Sequence, residues 1–235
     1  MEPMARTLPA PSPTVPLGST ATGTSTGAAG AQRVLRNTYA LLSMTLLFSG
    51  AVAAVSTAWR LPAPGILLAL GGMFGLLFAV YKLKNSAWAL PAVFALTGFM
   101  GYTLGPALSR TLDLPGGAQV ITLALAATGA TFLALSAYVL ATRRDFSFMG
   151  GFLFAGMIVA LLLMLAAVFL QMPALGLVVA AMVAMLSIGL LLFETSRIVN
   201  GGETNYVLAT VGLYVSIFNL FSSLLALFGF GGAGE

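Results

Sequence analysis

The fold is decided by residues 193–221, which read FETSRIVNGGETNYVLATVGLYVSIFNLF. An acid, Glu194, stands at the end of one apolar run, and two glycines then interrupt the pattern. A second apolar run follows and carries Ser216 and Asn219 among large hydrophobic residues. Apolar runs separated by a short glycine break are typical of two helices joined as a hairpin.

The composition indicates an integral membrane protein. Hydrophobic residues make up 59% of the 235 residues and charged residues only 7%, with a mean hydropathy of +1.02, well outside the range of soluble domains. The chain has no cysteine and no histidine, which excludes thiolate nucleophiles, imidazole bases and the commonest metal ligands. We therefore expect no enzyme activity, no cofactor and no metal site.

Seven apolar runs are each long enough for a helix to cross about 30 Å of hydrocarbon. We predict an all-α integral membrane protein, a seven-transmembrane-helix bundle over residues 33–235. Because the connections are short, consecutive helices are expected to be antiparallel neighbours. The predicted spans are 37–59, 65–81, 88–108, 118–141, 149–170, 174–195 and 206–230.

Residues 1–32 are rich in Pro, Ser, Thr, Gly and Ala. Such a segment buries too little apolar surface to offset its ordering entropy, so we predict a disordered cytoplasmic tail. Two interpretations remain open for it, a spacer or a handle that a partner grips.

The basic residues predict the orientation. The formal charge of +4 is explained by cations at the ends of apolar runs, as topology determinants rather than as a nucleic-acid surface. With the N-terminus inside, eight of the ten Lys and Arg residues fall in inner loops, which favours a cytoplasmic N-terminus and an external C-terminus. The inner residues are Arg6, Arg33, Arg36, Lys82, Lys84, Arg143, Arg144 and Arg197, and the outer ones are Arg60 and Arg110.

Small residues recur at the spacing that lets membrane helices pack closely. Two such pairs are Gly71 with Gly75 and Gly101 with Gly105. Both pairs are consistent with a compact bundle.

Glu194 is the candidate functional acid. An ionised carboxylate at membrane depth is costly, so Glu194 should face the bundle, pair with a cation or take up a proton. Arg197 is three residues further on and offers an ion pair, whereas the functional alternative is a proton-sensitive latch. Ser216 and Asn219 share one face of helix seven with Gly212 and Ser223, and Ser216 lies about two turns deeper than Glu194, so a link between them needs tilt or water.

Glu203 follows the two glycines and precedes helix seven. Thr204 or Asn205 is predicted to cap this helix, and Glu203 is favourable near its positive end. Asp145 is predicted to cap helix five in the same way.

Several motifs of the hairpin resemble the Bax inhibitor-1 family of seven-helix membrane proteins, in particular its bacterial YccA-like branch. The similar segments are 192–196, LFETS; 201–206, GGETNY; and 213–216, LYVS, followed by Asn219. Further similarity covers nearly all of residues 34–230.

The resemblance implies two functions. Members of the YccA-like branch interact with the membrane-anchored, ATP-dependent protease FtsH in the inner membrane and restrain it. Other bacterial relatives are pH-sensitive calcium leak channels gated by two acids on the last two helices, with calcium or protons as the transported or sensed ion. Glu194 occupies the first acidic position, but Ser216 stands at the second. A serine cannot share a proton as a second carboxylate does, so protease modulation is the favoured function and the cation leak the alternative.

Overall fold

The structure, a computed structural model, describes residues 23–231. Within this range the chain forms seven α-helices, with a short 3₁₀ turn at Ser147–Met149 before the fifth. All seven are long and apolar enough to span a membrane, which confirms the predicted fold class. The helices are α1 (Gly23–Ala58), α2 (Ile66–Leu83), α3 (Ala89–Leu112), α4 (Gly117–Thr142), α5 (Gly150–Phe169), α6 (Pro173–Val199) and α7 (Tyr206–Gly231).

Helices α3 and α6 extend beyond the C-terminal ends that hydropathy predicts for them. α3 continues to Leu112 and α6 to Val199, whereas hydropathy placed their ends near 108 and 195. Polar residues cost little in a helix once it has left the hydrocarbon, so hydrogen bonding rather than hydropathy sets these ends. Within the last turn of α3, Thr111 is buried and its hydroxyl donates to the carbonyl of Ala107 at 3.0 Å.

The first helix begins at Gly23, inside the segment that the composition indicated as disordered. The prediction is therefore wrong for residues 23–32, where low hydrophobicity does not prevent helical backbone from continuing out of a membrane span. Residues 1–22 lie outside the described residues, and for them the tail remains a prediction.

α7 lies at the centre of the bundle. In its most apolar 18-residue stretch, 50% of the residues are buried, compared with 6% in the corresponding stretch of α2 and 11% in that of α5. It packs against α1, α3, α4 and α6, and its Leu213, Tyr214 and Leu220 are among the largest fully buried side chains. The interior of the protein is therefore built around α7, while α2 and α5 lie at the periphery and face lipid.

Consecutive helices are not always neighbours, contrary to the expectation from short loops. α1 packs mainly against α3 and α7, and neither α1 with α2 nor α4 with α5 forms an extensive interface. Arg60 and Arg143 adopt left-handed backbone, with φ of 47° and 50°, at the ends of α1 and α4. Gln171 has the same conformation at the end of α5, with a φ of 51°, yet α5 and α6 do pack together. Neither a short loop nor a left-handed corner therefore decides which helices pack together.

The α1–α3 interface is held by small residues and by hydroxyl groups. A Cβ atom at Gly101 would collide with the backbone oxygen of Ser49, and one at Gly105 would lie 3.0 Å from the backbone carbon of Ser56. Three hydroxyl groups donate across the interface: Ser56 to the Tyr102 carbonyl at 3.1 Å, Thr57 to the Gly105 carbonyl at 3.3 Å, and Ser109 to the Thr57 carbonyl at 3.4 Å. Gly101 and Gly105 thus form a close-packing pair of the kind predicted.

Gly71 and Gly75, the second predicted pair, do not pack closely against another helix. A Cβ atom at Gly71 or at Gly75 would meet no atom within 4 Å. Their neighbour Gly72 is the one that packs, with a Cβ position 2.5 Å from the ring of Phe99. The glycine spacing in α2 is therefore not a helix interface.

Asp145 acts just before α5. Its carboxylate accepts the backbone N–H of Ser147 at 2.8 Å, so it holds the 3₁₀ turn that leads into α5 rather than the first turn of α5 itself. Hydrogen bonds from the Ser147 side chain and backbone keep the pKa of Asp145 below its usual value. The predicted capping role is thus displaced by one turn.

Candidate functional site

The loop between α6 and α7 is short and closed on itself. Gly201 has a φ of 75°, a left-handed conformation that glycine adopts without strain. The backbone N–H of Glu203 donates to the carbonyl of Arg197 at 3.0 Å. The two glycines thus reverse the chain and bring the ends of α6 and α7 together.

Asn205 caps α7. Its side-chain oxygen accepts the backbone N–H of Val207 at 2.9 Å and that of Leu208 at 3.3 Å. The sequence left Thr204 and Asn205 as alternatives, and the structure selects Asn205. Glu203 supports the cap, since its carboxylate accepts the N–H of Asn205 at 2.9 Å.

Asn205 also joins this loop to the turn between α2 and α3. Its amide nitrogen donates to the carbonyl of Lys84 at 3.2 Å and to the side-chain oxygen of Asn85 at 3.0 Å. One side chain therefore fixes the start of α7 and positions it against a second loop.

The cation at the end of α6 pairs across the loop. Arg197 forms an ion pair with Glu203 at 3.1 Å, with 32% and 13% of the two side chains exposed. The guanidinium lies 5.5 Å from the ring centre of Phe193. Among the described residues the ion-pair partner of Arg197 is thus Glu203 and not Glu194, since the return of the chain brings Glu203 within reach.

Glu194 faces α7. A Cβ atom at Gly212 would lie 2.7 Å from the carboxyl carbon of Glu194 and 2.9 Å from each of its oxygens. The absence of a side chain at Gly212 therefore provides the space that the carboxyl group occupies. Glu194 is half-buried and forms no ion pair within the described part of the chain.

Ser216 and Asn219 lie deeper along α7. Ser216 is only 2% exposed, one helical turn beyond Gly212, and Asn219 is half-buried. Within the described residues, no hydrogen bond connects Glu194 to either of them. The structure thus brings Glu194 to Gly212 and Arg197 to Glu203, whereas Ser216 and Asn219 form no hydrogen bond with the acid.

Sequence reasoning did not single out Tyr214. Its hydroxyl group is hydrogen-bonded with the hydroxyl of Ser49 on α1 and donates to the carbonyl of Thr97 on α3 at 3.2 Å. The side chain is 1% exposed. A tyrosine within an apolar run was the available signal, because a buried phenol needs a polar partner.

The interior near Glu194 contains further polar groups. Six buried hydroxyls form no hydrogen bond with another described residue, and Thr195, the neighbour of Glu194, is one of them. The others are those of Thr38, Tyr39, Ser136, Ser187 and Ser222.

These features define a class of protein, a multi-pass helical membrane protein with a polar hairpin at its centre. The chain belongs to the Bax inhibitor-1 family: the family model described as "Inhibitor of apoptosis-promoting Bax1" matches residues 31–233. The resemblance in the hairpin motifs is thereby confirmed.

Bacterial relatives cover most of the chain. A protein of Pseudomonas aeruginosa is 53% identical over 86% of this chain and 91% of its own length. The protein named "Modulator of FtsH protease YccA" in Escherichia coli K12 is 52% identical over 84% of this chain and 90% of its own length. A relative in another Escherichia coli strain, with the same identity, is named "Inner membrane protein YccA". With seven candidate spans, the chain is a multi-pass protein of the bacterial inner membrane.

Proposed function

We propose that this protein binds a membrane-anchored, ATP-dependent protease of the FtsH type and restrains it. The observation that carries the proposal is the 52% identity to a protein named as a modulator of that protease, over 84% of this chain. Because the aligned part includes 90% of that relative, the similarity extends over nearly the whole of its length.

The bundle is suited to resist extraction from the membrane. Its central helix α7 packs against four others, and Tyr214 joins three helices through its hydroxyl group. A protease that pulls on this chain must break the whole interior rather than one peripheral helix.

The segment before α1 is the proposed handle. The composition of residues 1–22, rich in Pro, Ser and Thr, predicts no stable structure, and the distribution of Lys and Arg predicts that it is cytoplasmic. An ATPase ring needs such a segment to engage a substrate. In this mechanism the ring engages the tail, fails to unfold the bundle and remains occupied.

Deletion of residues 1–22 is expected to abolish the restraint while leaving the bundle folded. The measurement is the half-life of a membrane substrate of the protease in cells that overproduce either the full chain or the shortened one. A matched control carries the same 22 residues in scrambled order and should restrain the protease as the natural tail does, because the mechanism depends on lack of structure and not on a motif. Equal substrate half-lives with and without the tail would contradict the handle mechanism, and failure of the full chain to co-purify with the protease would contradict the proposal as a whole.

A pH-sensitive cation or calcium leak is the second candidate function. The observation that favours it is the carboxyl group of Glu194, which lies inside the bundle against Gly212 without an ion-pair partner among the described residues. In this case Glu194 would be the titrating group.

Calcium flux into liposomes distinguishes the two candidates. Under the protease proposal, purified wild-type protein gives no flux above empty liposomes between pH 6 and 8, and Glu194→Gln changes nothing. Under the leak alternative, the wild type conducts and Glu194→Gln removes the pH dependence. Glu203→Gln is the matched control, because it makes the same chemical change on the same hairpin at a carboxylate already paired with Arg197.

A further inference from the structure

A groove lies between the α2–α3 turn and the beginning of α7. It is an open groove with a volume of about 410 Å³. Both polar or charged residues and apolar residues line it. The residues that matter here are Lys84, Asn85, Ser86, Leu90, Thr204 and Asn205.

The groove lies at the boundary of the membrane. The spans of α2, α3 and α7 end or begin at Leu83, Ala89 and Tyr206, and the hydrogen bonds of Asn205 to Lys84 and Asn85 place all three ends on one side. Tyr81 is 60% exposed and Trp88 is 68% exposed beside the groove. Exposed Tyr and Trp at span ends are typical of the level of lipid headgroups.

The charge in the groove is positive and uncompensated. Lys84 is half-buried, and its ammonium group lies 4.3 Å from the ring centre of Tyr81. Among the described residues it forms no ion pair, and Glu203, the acid of the adjoining loop, is already paired with Arg197. An anion in the groove would therefore meet a fixed cation without a competing carboxylate.

Neutral donors stand beside this cation. The side-chain oxygen of Asn85 accepts from Asn205, which leaves the Asn85 amide nitrogen to donate. Thr204 is exposed and adds a hydroxyl group. Leu90, which also lines the groove, is 41% exposed on α3, in the first turn of a membrane span. The groove thus offers a cation and donors to a headgroup and an apolar helix face to hydrocarbon.

We infer that this groove binds the phosphodiester headgroup of an anionic lipid, with Lys84 as its counter-charge and the acyl chains along α3 beside Leu90. The phosphate could also come from solution, but free phosphate has no group to contact the exposed side chain of Leu90. A bound headgroup would contact both loops that Asn205 holds together, so its binding should stabilise the packing of the α6–α7 hairpin against the α2–α3 turn.

The test uses the full chain in detergent and counts retained lipid by native mass spectrometry. Phosphatidylglycerol should be retained in preference to phosphatidylcholine, and Lys84→Gln should weaken this retention about fivefold, the effect of one cation near a lipid surface. Lys82→Gln is the matched control, because it removes the same charge two residues away, from a side chain that does not line the groove. Lys84→Arg should retain most of the binding.

Three results would overturn the inference. The first is that wild type and Lys84→Gln retain phosphatidylglycerol equally. The second is that Lys84→Gln and Lys82→Gln lose it equally, as expected for diffuse attraction to the membrane surface. The third is that inorganic phosphate raises the melting temperature of the protein as much as phosphatidylglycerol does. Circular dichroism of each variant establishes that it is folded before lipid is counted.

Discussion

Gly105→Ala and Gly101→Ala should each destabilise the protein by about 1–3 kcal/mol, the usual cost of forcing atoms into a packed interface. A Cβ atom at either position meets the backbone of α1, at Ser56 or Ser49, and backbone cannot move aside as the end of a side chain can. The helices must separate, which also weakens the hydrogen bonds that Ser56 and Thr57 donate to α3. The measurement is the free energy of unfolding in mixed micelles with increasing sodium dodecyl sulfate.

Gly71→Ala and Gly75→Ala are the controls for this prediction. They repeat the same substitution at the same spacing in α2, where a Cβ atom meets nothing within 4 Å. They should leave the stability unchanged or raise it by up to about 1 kcal/mol, because alanine favours helix over glycine. Equal losses in the two helices would show that close packing of α1 on α3 is not what the glycines provide.

Tyr214→Ala is expected to cost about 3–5 kcal/mol, the range for removing a large buried aromatic side chain. Tyr214 is among the largest side chains that are fully buried, and its ring also stacks on Phe218 with centroids 6.3 Å apart. Tyr214→Phe keeps the ring and removes only the hydroxyl group, so about 1–2 kcal/mol should be lost, since Ser49 is left without its partner. Unfolding in the same micelles measures both.

Two further variants test the origin of the Tyr214 effect. Ser49→Ala combined with Tyr214→Phe removes both partners of the buried hydrogen bond and should recover part of the loss. Tyr138→Phe on α4, where the side chain is 42% exposed, should change the stability by less than about 0.5 kcal/mol. If the loss in the double variant instead equals the sum of the losses in Ser49→Ala and Tyr214→Phe, the two hydroxyl groups act independently of each other.

The seven helices could be predicted because the length of an apolar run directly reports a membrane span. The neighbours of each helix could not, since a short loop limits only the distance between two ends. Left-handed residues follow α1, α4 and α5 alike, yet of these three helices only α5 packs extensively on the next one. Likewise Gly71 with Gly75 and Gly101 with Gly105 share one spacing, and only the position of α1 decides which pair packs.

In the α6–α7 hairpin, too, some features could be predicted from the sequence and others could not. Its cap was predictable because capping depends on local residues, and Asn205 carries it out. The ion-pair partner of Arg197 could not be predicted, because Glu194 and Glu203 are both close to it in sequence. The closure of the loop brings Glu203 to Arg197. Counting 1.5 Å per residue along the helices placed Ser216 deeper than Glu194, and the structure accordingly brings Gly212, one turn earlier, to the acid.

The central position of α7 has a consequence for biogenesis. Six of the helices described between residues 23 and 231 precede α7, so each enters the bilayer before the helix that joins them has been translated. Until then, the faces of α1, α4 and α6 that pack on α7 have no final partner, and the intermediate depends on the insertion machinery or on lipid to shield them. A ribosome stalled before residue 206 should therefore leave an inserted but protease-sensitive chain, and resistance should appear only after α7 has entered.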